Sequence, residues 1–225
     1  TNILFSSAKH VPQVILMTSS TAKEGKTLIA SNLAVAMAQG GGRTLVLDCD
    51  MRRPRINKIF GLPRDPGMSN ILIGERSWED LVLPTPVDKL WVIPCGPIPP
   101  NPAELVSSDL MEELVTQMRG QYDRIIIDSP PVTAVTDSVA LSRLVDGLVL
   151  VVKTSVTPRT IIRTTVRSLK EINAKILGVV LNDIPVGPDS YYYYQYYYYY
   201  YGEDKIKKYG RKERRRAKPE APLET

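Results

Sequence analysis

The nine residues 19–27, SSTAKEGKT, constrain what this chain can fold into more than any other part of the sequence. They join the apolar run 14–18 to the helical pattern 27–39. They fit the phosphate-binding pattern G-x-x-x-x-G-K-[ST], with Ser20 in the place of the first glycine. Backbone N–H groups and a helix N-terminus bind phosphates in such loops. The segment therefore predicts a nucleotide site between a strand and a helix of an α/β fold.

Two residues of this loop have specific predicted contacts with a bound nucleotide. Lys26 would reach the β- and γ-phosphates, and the Thr27 hydroxyl would bind Mg²⁺. In and beside the loop, the predicted nucleotide-contacting residues are Ser20, Thr21, Ala22, Lys23, Glu24, Gly25, Lys26, Thr27 and Leu28. The alternative, a Gly-Lys turn that caps a helix by chance, is disfavoured by the strand before the loop and the helix after it.

Apolar runs of strand length alternate with helical patterns along the rest of the chain. Strands are predicted at residues 14–18, 43–50, 89–96, within 122–128, at 146–154 and at 174–183. Helices are predicted at 27–39, 55–60, 68–73, 103–119, 136–145 and 158–172. Because the strands are continuous rather than alternating apolar runs, both of their faces should be buried. This predicts a doubly wound, mainly parallel sheet with helices on both faces.

Residues 1–182 are predicted to form this domain, and residues 183–225 a flexible linker and tail. The tail carries SYYYYQYYYYYYGED at 190–204, which holds ten of the twelve tyrosines, and shows no helix or strand periodicity. Residues 202–225 contain nine Lys or Arg against five Asp or Glu, so most of the net charge of +5 lies there. This basic stretch is interpreted as a solvated tail, a contact for anionic lipid, or a nucleic-acid contact.

The composition excludes several classes of function. Cys49 and Cys95 are too few for a disulfide framework or a four-ligand metal site, and we expect both to be buried in a reducing cytosol. His10 is the only histidine, which argues against a Ser-His-Asp hydrolase. No apolar run reaches the ~18 residues of a membrane span. The first residue is Thr rather than Met, which indicates a piece of a longer chain.

Three carboxylates follow predicted strands. Asp48 and Asp50 end the run LVLDCD, and Asp128 ends RIIID. Ligands sit at the carboxyl ends of parallel strands, so we expect these groups near the phosphate-binding loop. Beside a nucleotide they could bind metal or accept a proton. The alternative for the first two is a solvated acidic loop paired with Arg52 and Arg53.

The segments SSTAKEGKT, LVLDCDMRRP, GPIPPNPAEL and IIIDSPP, followed by a tyrosine-rich C-terminus, together resemble the bacterial tyrosine kinases. The resemblance covers essentially the whole chain. It implies a P-loop domain related to the partition ATPases, with ATP and Mg²⁺ as cofactors. The activity it implies is phosphorylation of the protein's own tyrosine cluster, in trans between subunits. The positions so implied are Tyr191, Tyr192, Tyr193, Tyr194, Tyr196, Tyr197, Tyr198, Tyr199, Tyr200 and Tyr201.

The resemblance also implies roles for individual residues. Lys26 looks like the catalytic phosphate-binding lysine, and Thr27, Asp50 and Asp128 look like the residues that bind Mg²⁺. Asp48 looks like the group that draws the proton from the attacking tyrosine. Asn182, at the end of the last strand, resembles the adenine-contacting residue of related ATPases.

The implied setting is the inner face of the bacterial plasma membrane. There the family regulates capsule and exopolysaccharide synthesis and export beside, or fused to, a transmembrane chain-length regulator. A ring-type homo-oligomer, built through an E-x-x-R-x-x-R helix ahead of the segment resembling TNILFSS, and a phosphotyrosine phosphatase are further implied partners. Nucleic acid is not an expected partner. Two other functions remain open: a partition-type ATPase switch, against which Thr21 stands where those proteins have a lysine, and a non-catalytic scaffold phosphorylated by another kinase.

Overall fold

A seven-stranded sheet forms the centre of the fold. The computed structural model describes residues 11–133, 136–154 and 156–184. The strands are β1 (Val14–Ser19), β2 (Thr44–Asp48), β3 (Leu83–Pro84), β4 (Leu90–Ile93), β5 (Arg124–Asp128), β6 (Gly147–Lys153) and β7 (Ile176–Asn182). Their order across the sheet is β3-β4-β2-β5-β1-β6-β7. Every pairing is parallel except that of β3 with β4, which confirms the predicted doubly wound, mainly parallel sheet.

The helices connect these strands and cover the sheet. They are α1 (Lys26–Gln39), α2 (Ile56–Phe60), α3 (Met68–Leu72), α4 (Pro102–Val106), α5 (Asp109–Arg119), α6 (Asp137–Leu141) and α7 (Arg159–Glu171), with a 3₁₀ turn at Glu79–Leu81. Within the described ranges, no helix combines the length and the apolar character needed to span a bilayer. The predicted tail, and with it the proposed division at residue 182, falls largely on residues outside those ranges.

The single helix predicted over residues 103–119 was wrong, because two helices occupy this segment. α4 ends before Ser107, and α5 begins after Ser108. Ser108 has extended backbone angles, and its hydroxyl accepts a hydrogen bond from the Met111 N–H at 3.4 Å. A serine in this position satisfies a free N–H of the first turn, which favours starting a new helix over continuing the old one. The helix predicted over 136–145 also ends early, at Leu141.

The sheet has a separate apolar core on each face. Alternate side chains of β1 divide between them: Val14 and Leu16 pack on one side, Ile15 and Met17 on the other. On the second side α1 contributes mainly small residues, Ala30, Ala34, Met37 and Ala38. Small side chains let a helix lie close to the strands, which brings the N-terminus of α1 directly over the end of β1. Cys49 and Cys95 are free and fully buried, as expected.

At the end of the sheet where β1 and β6 begin, one carboxylate joins the two strands. Asp146, just before β6, accepts hydrogen bonds from the backbone N–H groups of Gln13 and Val14 at 2.7 and 2.8 Å, and a two-point contact from Arg119. Partial burial opposes ionisation of Asp146. The contacts from Arg119 and the two N–H groups outweigh it and hold the pKa of this carboxyl below its usual range.

Asp146→Asn is expected to lower the free energy of unfolding by about 1–2 kcal/mol at neutral pH, because it weakens these charged hydrogen bonds. The loss is no larger because the side chain is nearly a third exposed and solvent screens the contacts. A depressed pKa stabilises the fold above the unfolded-state value near 4 and stops doing so as pH falls through the folded-state pKa. The stability gap between the two proteins should therefore close below about pH 4, as measured by urea unfolding across pH. A gap that stays constant down to pH 2 would contradict this account.

Candidate nucleotide site

The carboxyl ends of β1, β2 and β5 form one acidic edge of the sheet. Asp48 lies opposite Asp128 in the register of β2 and β5, and Met17 of β1 lies opposite Asp128 on its other side. The loop Ser20–Gly25 leaves β1 beside this pair and enters α1. Parallel alignment of the three strands thus brings together side chains that the sequence keeps far apart.

The phosphate-binding loop closes on the last strand. Gly25 precedes α1 with φ at +88°, a conformation that glycine adopts without cost. A Cβ at this position would lie 2.2 Å from Asn182 Nδ2, so a side chain here would displace Asn182. Asn182 instead donates a hydrogen bond to the Glu24 carbonyl at 2.9 Å. Its place beside the loop agrees with the predicted proximity to a nucleotide, and its contact with adenine remains a prediction.

Glu24 has a role that sequence reasoning missed. Its side chain is buried and accepts hydrogen bonds from the Thr21 N–H at 2.6 Å, the Lys153 N–H at 3.2 Å and the Thr157 hydroxyl. The carboxylate thus faces into the protein and ties the loop to the end of β6. An acid inside a phosphate-binding loop is unexpected, because it would repel phosphates if it faced them. A glutamate within this loop was therefore the sequence signal that its side chain binds a partner inside the protein.

Lys26 and Thr27 contact the two carboxylates predicted to bind metal. The Lys26 ammonium lies 2.8 Å from Asp50 Oδ2 and 3.1 Å from Asp128 Oδ1, and the Thr27 hydroxyl donates to Asp128 Oδ2 at 2.7 Å. All three charged side chains are less than a tenth exposed. Burial lowers the pKa of Lys26, but the two carboxylates raise it by a larger amount, so the lysine stays charged. The ammonium neutralises a site that would otherwise bury unpaired negative charge.

Asp48 differs from its neighbours because no ion pair joins it to a Lys or Arg of the described ranges, whereas Asp50 and Asp128 both pair with Lys26. One oxygen accepts the Ile56 N–H at 3.1 Å, and the other is buried without a hydrogen-bond partner in the described part of the chain. Burial, with the nearby Asp128 charge, raises the pKa of Asp48 to about 8. Burial also raises the pKa of Asp128, against the pull of Lys26. A carboxyl with a pKa near neutrality is suited to accept a proton at physiological pH.

The solvated-loop alternative for Asp48 and Asp50 was wrong. The two residues are 0% and 5% exposed. Arg52 pairs with Asp137 rather than with either of them, and Arg53 contacts Asp50 only through its backbone N–H, at 3.0 Å. These carboxylates are therefore built into the site and not held by neighbouring surface arginines.

The donor set fits Mg²⁺ shared with a nucleotide. Thr27, Asp50 and Asp128 present oxygen atoms around the Lys26 ammonium, so this position already holds a positive charge. Mg²⁺ is commonly bound by one or two carboxylates together with substrate phosphates and water. No group of three or more His, Cys, Asp or Glu side chains is arranged as a metal cage within residues 11–133, 136–154 and 156–184. The buried Ser20 hydroxyl, which also has no hydrogen-bond partner in those ranges, is a further free group in the phosphate-binding loop.

The structure gathers most of the predicted site residues and separates a few. The P-loop residues, the three aspartates and Asn182 lie at one edge of the sheet. Ala22 and Lys23 are exposed on the outside of the loop, and Leu28 is half exposed on α1. The ten tyrosines of the cluster lie outside the described residues.

Comparison with known proteins agrees with this geometry. Residues 10–210 match the model of the ParA family, described as NUBPL iron-transfer P-loop NTPase. YwqD of Bacillus subtilis, a tyrosine-protein kinase, is 37% identical over 81% of this chain and 77% of its own length. CapB of Staphylococcus aureus is 38% identical over 84% and 83%. The tyrosine-protein kinase Wzc of Salmonella typhi is 32% identical, but this chain spans only 26% of its length.

Solved structures are also similar to this chain. The chimerical protein CapA2B2 superposes with a TM-score of 0.79 at 39% identity, covering 82% of this chain and 81% of that one. The VpsO kinase domain gives 0.77 at 37%, covering 82% and 91%. The cell-division ATPase MinD of Pyrococcus furiosus, at 23% identity and a TM-score of 0.65 over 82% and 79%, shares the fold.

The iron-transfer description does not suit the donor atoms of this chain. Both cysteines are fully buried, and burial raises the pKa of each thiol, which disfavours the thiolate that binds soft metals. The P-loop nucleotide fold is what the chain shares with that family model. With a lysine, a threonine and three aspartates at the carboxyl edge and relatives that cover most of its length, the chain belongs to the bacterial tyrosine-protein kinases.

Proposed function

We propose that this protein transfers the γ-phosphoryl group of ATP to tyrosines of its own C-terminal cluster. The observation that carries the proposal is Asp48, a buried carboxyl with a pKa near 8 and one unpartnered oxygen, beside a lysine and two carboxylates suited to a nucleotide. A tyrosine hydroxyl has a pKa near 10 and needs a proton acceptor when it attacks phosphorus. The same chain supplies ten tyrosines at residues 191–201.

The proposed reaction divides the work among five side chains. Lys26 leaves Asp50 and Asp128 to contact the β- and γ-phosphates. Mg²⁺ held by Thr27, Asp50 and Asp128 would neutralise charge on the phosphates as the transfer proceeds. A tyrosine oxygen attacks the γ-phosphorus, the bond to the β-phosphate oxygen breaks, and ADP leaves. Asp48 takes the phenolic proton.

The position of β7 supports access of the tyrosine cluster to this edge. β7 ends at Asn182, which touches the phosphate-binding loop. Residues 183–190 then lead to the cluster, a linker whose end-to-end distance is at most about 27 Å and on average about 16 Å. Such a length permits transfer within one chain. The resemblance to the family favours transfer between neighbouring subunits of a ring, and that is our proposal.

Phosphotyrosine mapping tests the proposal against the two other functions. The protein is incubated with Mg-ATP and analysed by mass spectrometry beside Lys26→Met. We expect phosphate on tyrosines within residues 191–201 of the first protein and none on the second. Phosphate release without labelling of the cluster would support a partition-type ATPase switch. Absence of both reactions would leave a scaffold that another kinase phosphorylates.

A mixing experiment tests transfer between chains. Lys26→Met with its full tail is combined with an active protein that lacks residues 190–225. We expect the inactive protein to become labelled, in proportion to the concentration of the active one. If the inactive protein stays unlabelled, while full-length active protein assayed alone is labelled at a rate independent of its concentration, transfer occurs within one chain.

The relatives also support a biological setting. Wzc, of whose length this chain spans only 26%, is a larger protein. We propose that the chain acts at the inner face of the plasma membrane, with a transmembrane chain-length regulator, fused or separate, and with a phosphatase that resets the cluster. Its phosphorylation state would then regulate capsule or exopolysaccharide export. Comparing exported polysaccharide in cells that carry the wild-type or the Lys26→Met protein tests this role.

A further inference from the structure

An ion pair between a partly exposed arginine and a buried aspartate links the loop after β2 to the start of α6. The Arg52 Nε donates to Asp137 Oδ2 at 3.1 Å, and Nη2 donates to Asp137 Oδ1 at 3.2 Å. Asp137 is fully buried, whereas the Arg52 side chain is 41% exposed. A buried carboxylate is costly unless it is paired in good geometry, so this contact holds Arg52 firmly in place.

Arg52 lies in the turn that orients Asp50. The Arg53 N–H donates both to the Asp50 carbonyl at 3.2 Å and to Asp50 Oδ1 at 3.0 Å, which closes the turn of residues 50–53. Met51, also in this turn, is fully buried in the core. The turn is thus fixed on one side by apolar packing and on the other by the pair with Asp137. Both contacts act on the turn that carries the Asp50 carboxylate.

The start of α6 is itself joined to the end of β1 and to the loop that follows β5. The Ser138 hydroxyl donates to the Pro130 carbonyl, which also accepts the Thr18 hydroxyl at 2.9 Å. The Ser129 hydroxyl donates to Ser138 Oγ at 3.2 Å. These three hydroxyl groups are in fully buried residues or nearly so. Asp137 therefore lies between the turn of Asp50, which it contacts through Arg52, and the segment immediately after Asp128, which its neighbour Ser138 contacts through buried hydroxyl groups.

We propose that Asp137 and Arg52 are positioning residues that fix the Asp50 carboxylate relative to Asp128, and so set the spacing of the magnesium-binding oxygens. The inference rests on the proposed function of Asp50 as a metal-binding residue. A partner behind a metal-binding side chain orients it without touching the metal, and its loss commonly weakens metal affinity or activity by about 10–100-fold. The pair is suited to this task because one member is immobile and the other belongs to the turn of Asp50.

ADP binding with and without Mg²⁺ separates positioning from general stability. We expect Asp137→Asn, which keeps the shape of the side chain, to weaken ADP binding in the presence of Mg²⁺ by about tenfold in calorimetric titration. Binding of ADP in EDTA should stay unchanged, because phosphate contacts with the loop and Lys26 do not involve Asp50 as a metal ligand. Arg52→Gln should show the same pattern, and the double variant should lose no more than either single one.

Asp146→Asn is the matched control, because it removes the carboxylate of another two-point arginine pair. Asp146 lies at the amino end of β6, away from the nucleotide site. It should leave ADP binding unchanged under both conditions. Asp50→Asn distinguishes the two levels of the proposal. One outcome is that Mg²⁺ no longer raises the ADP affinity of Asp50→Asn but still raises that of Asp137→Asn as in the wild type. The positioning role is then refuted, while the gain in ADP affinity still assigns metal binding to Asp50. If Asp50→Asn itself retains the gain, the metal role of Asp50 is refuted, and the positioning role with it.

Discussion

Lys26→Met is expected to lower the rate of tyrosine phosphorylation by about 10²–10³-fold, since it removes a donor to the phosphates at which charge develops. The change has a second expected effect, because Lys26 also neutralises Asp50 and Asp128 in the protein without nucleotide. Taking one partner from a buried charge network commonly costs about 3–5 kcal/mol. The variant should therefore be both inactive and less stable at pH 7, as measured by phosphotyrosine formation and urea unfolding.

A methionine at an exposed position provides the control for Lys26→Met. Lys170 on α7 is exposed and distant from the carboxyl edge, so Lys170→Met should keep wild-type activity and stability. Adding the single change Asp50→Asn to Lys26→Met should restore part of the lost stability, because one of the two unpaired carboxylates is then removed. It should restore no activity. A Lys26→Met protein as stable as the wild type would contradict the neutralising role of the lysine.

Asp48→Asn is expected to lower kcat/KM for phosphorylation by about 10²–10⁴-fold, the usual contribution of a positioned general base. In the wild type only the ionised form of Asp48 can take the tyrosine proton. Because its pKa is about 8 in the free protein, kcat/KM should rise with pH below this value and level off above it. The residual activity of Asp48→Asn should lack this rising limb. The measurement is initial rate against pH from 6 to 9 at low ATP.

Stability provides an independent reading of the same carboxyl. The folded protein binds one more proton at Asp48 than the unfolded chain does between about pH 4 and pH 8. Its free energy of unfolding therefore falls as pH rises through this window. Asp48→Asn removes that dependence, so its stability relative to the wild type should increase from pH 5 to pH 8.

If Asp50→Asn rather than Asp48→Asn abolishes the rising limb of the rate profile, the proton acceptor is Asp50.

The sequence was sufficient to place the loop residues and three aspartates at one edge of a parallel sheet. A phosphate-binding loop fixes the polarity of β1, and continuous apolar runs fix the neighbouring strands as parallel. Every loop after a strand must then emerge at the same edge. The contacts within that edge could not be predicted in the same way. Lys26 is 24 residues from Asp50 and 102 from Asp128, and no local pattern indicates that one ammonium bridges both.

Other features escaped prediction because they depend on tertiary packing. The pair of Arg52 with Asp137 is invisible in sequence, since neither residue has a patterned relation to the other across 85 positions. The break between α4 and α5 falls at residues 107 and 108. Its only local signal was the serine pair Ser107 and Ser108, which can serve as caps. The two-residue β3, with one partly buried and one exposed side chain, is too short to give a period.

The contacts of Glu24 have a consequence for the thermodynamics of ligand binding. Its side chain is tied to Thr21, Lys153 and Thr157, and its carbonyl to Asn182, so the phosphate-binding loop is already held in place before any ligand arrives. Ordering a loop on binding costs entropy, and a loop held in advance avoids that cost. Nucleotide association should therefore carry a small entropic penalty. Glu24→Ala would convert this rigid receptor into one that must fold around its ligand.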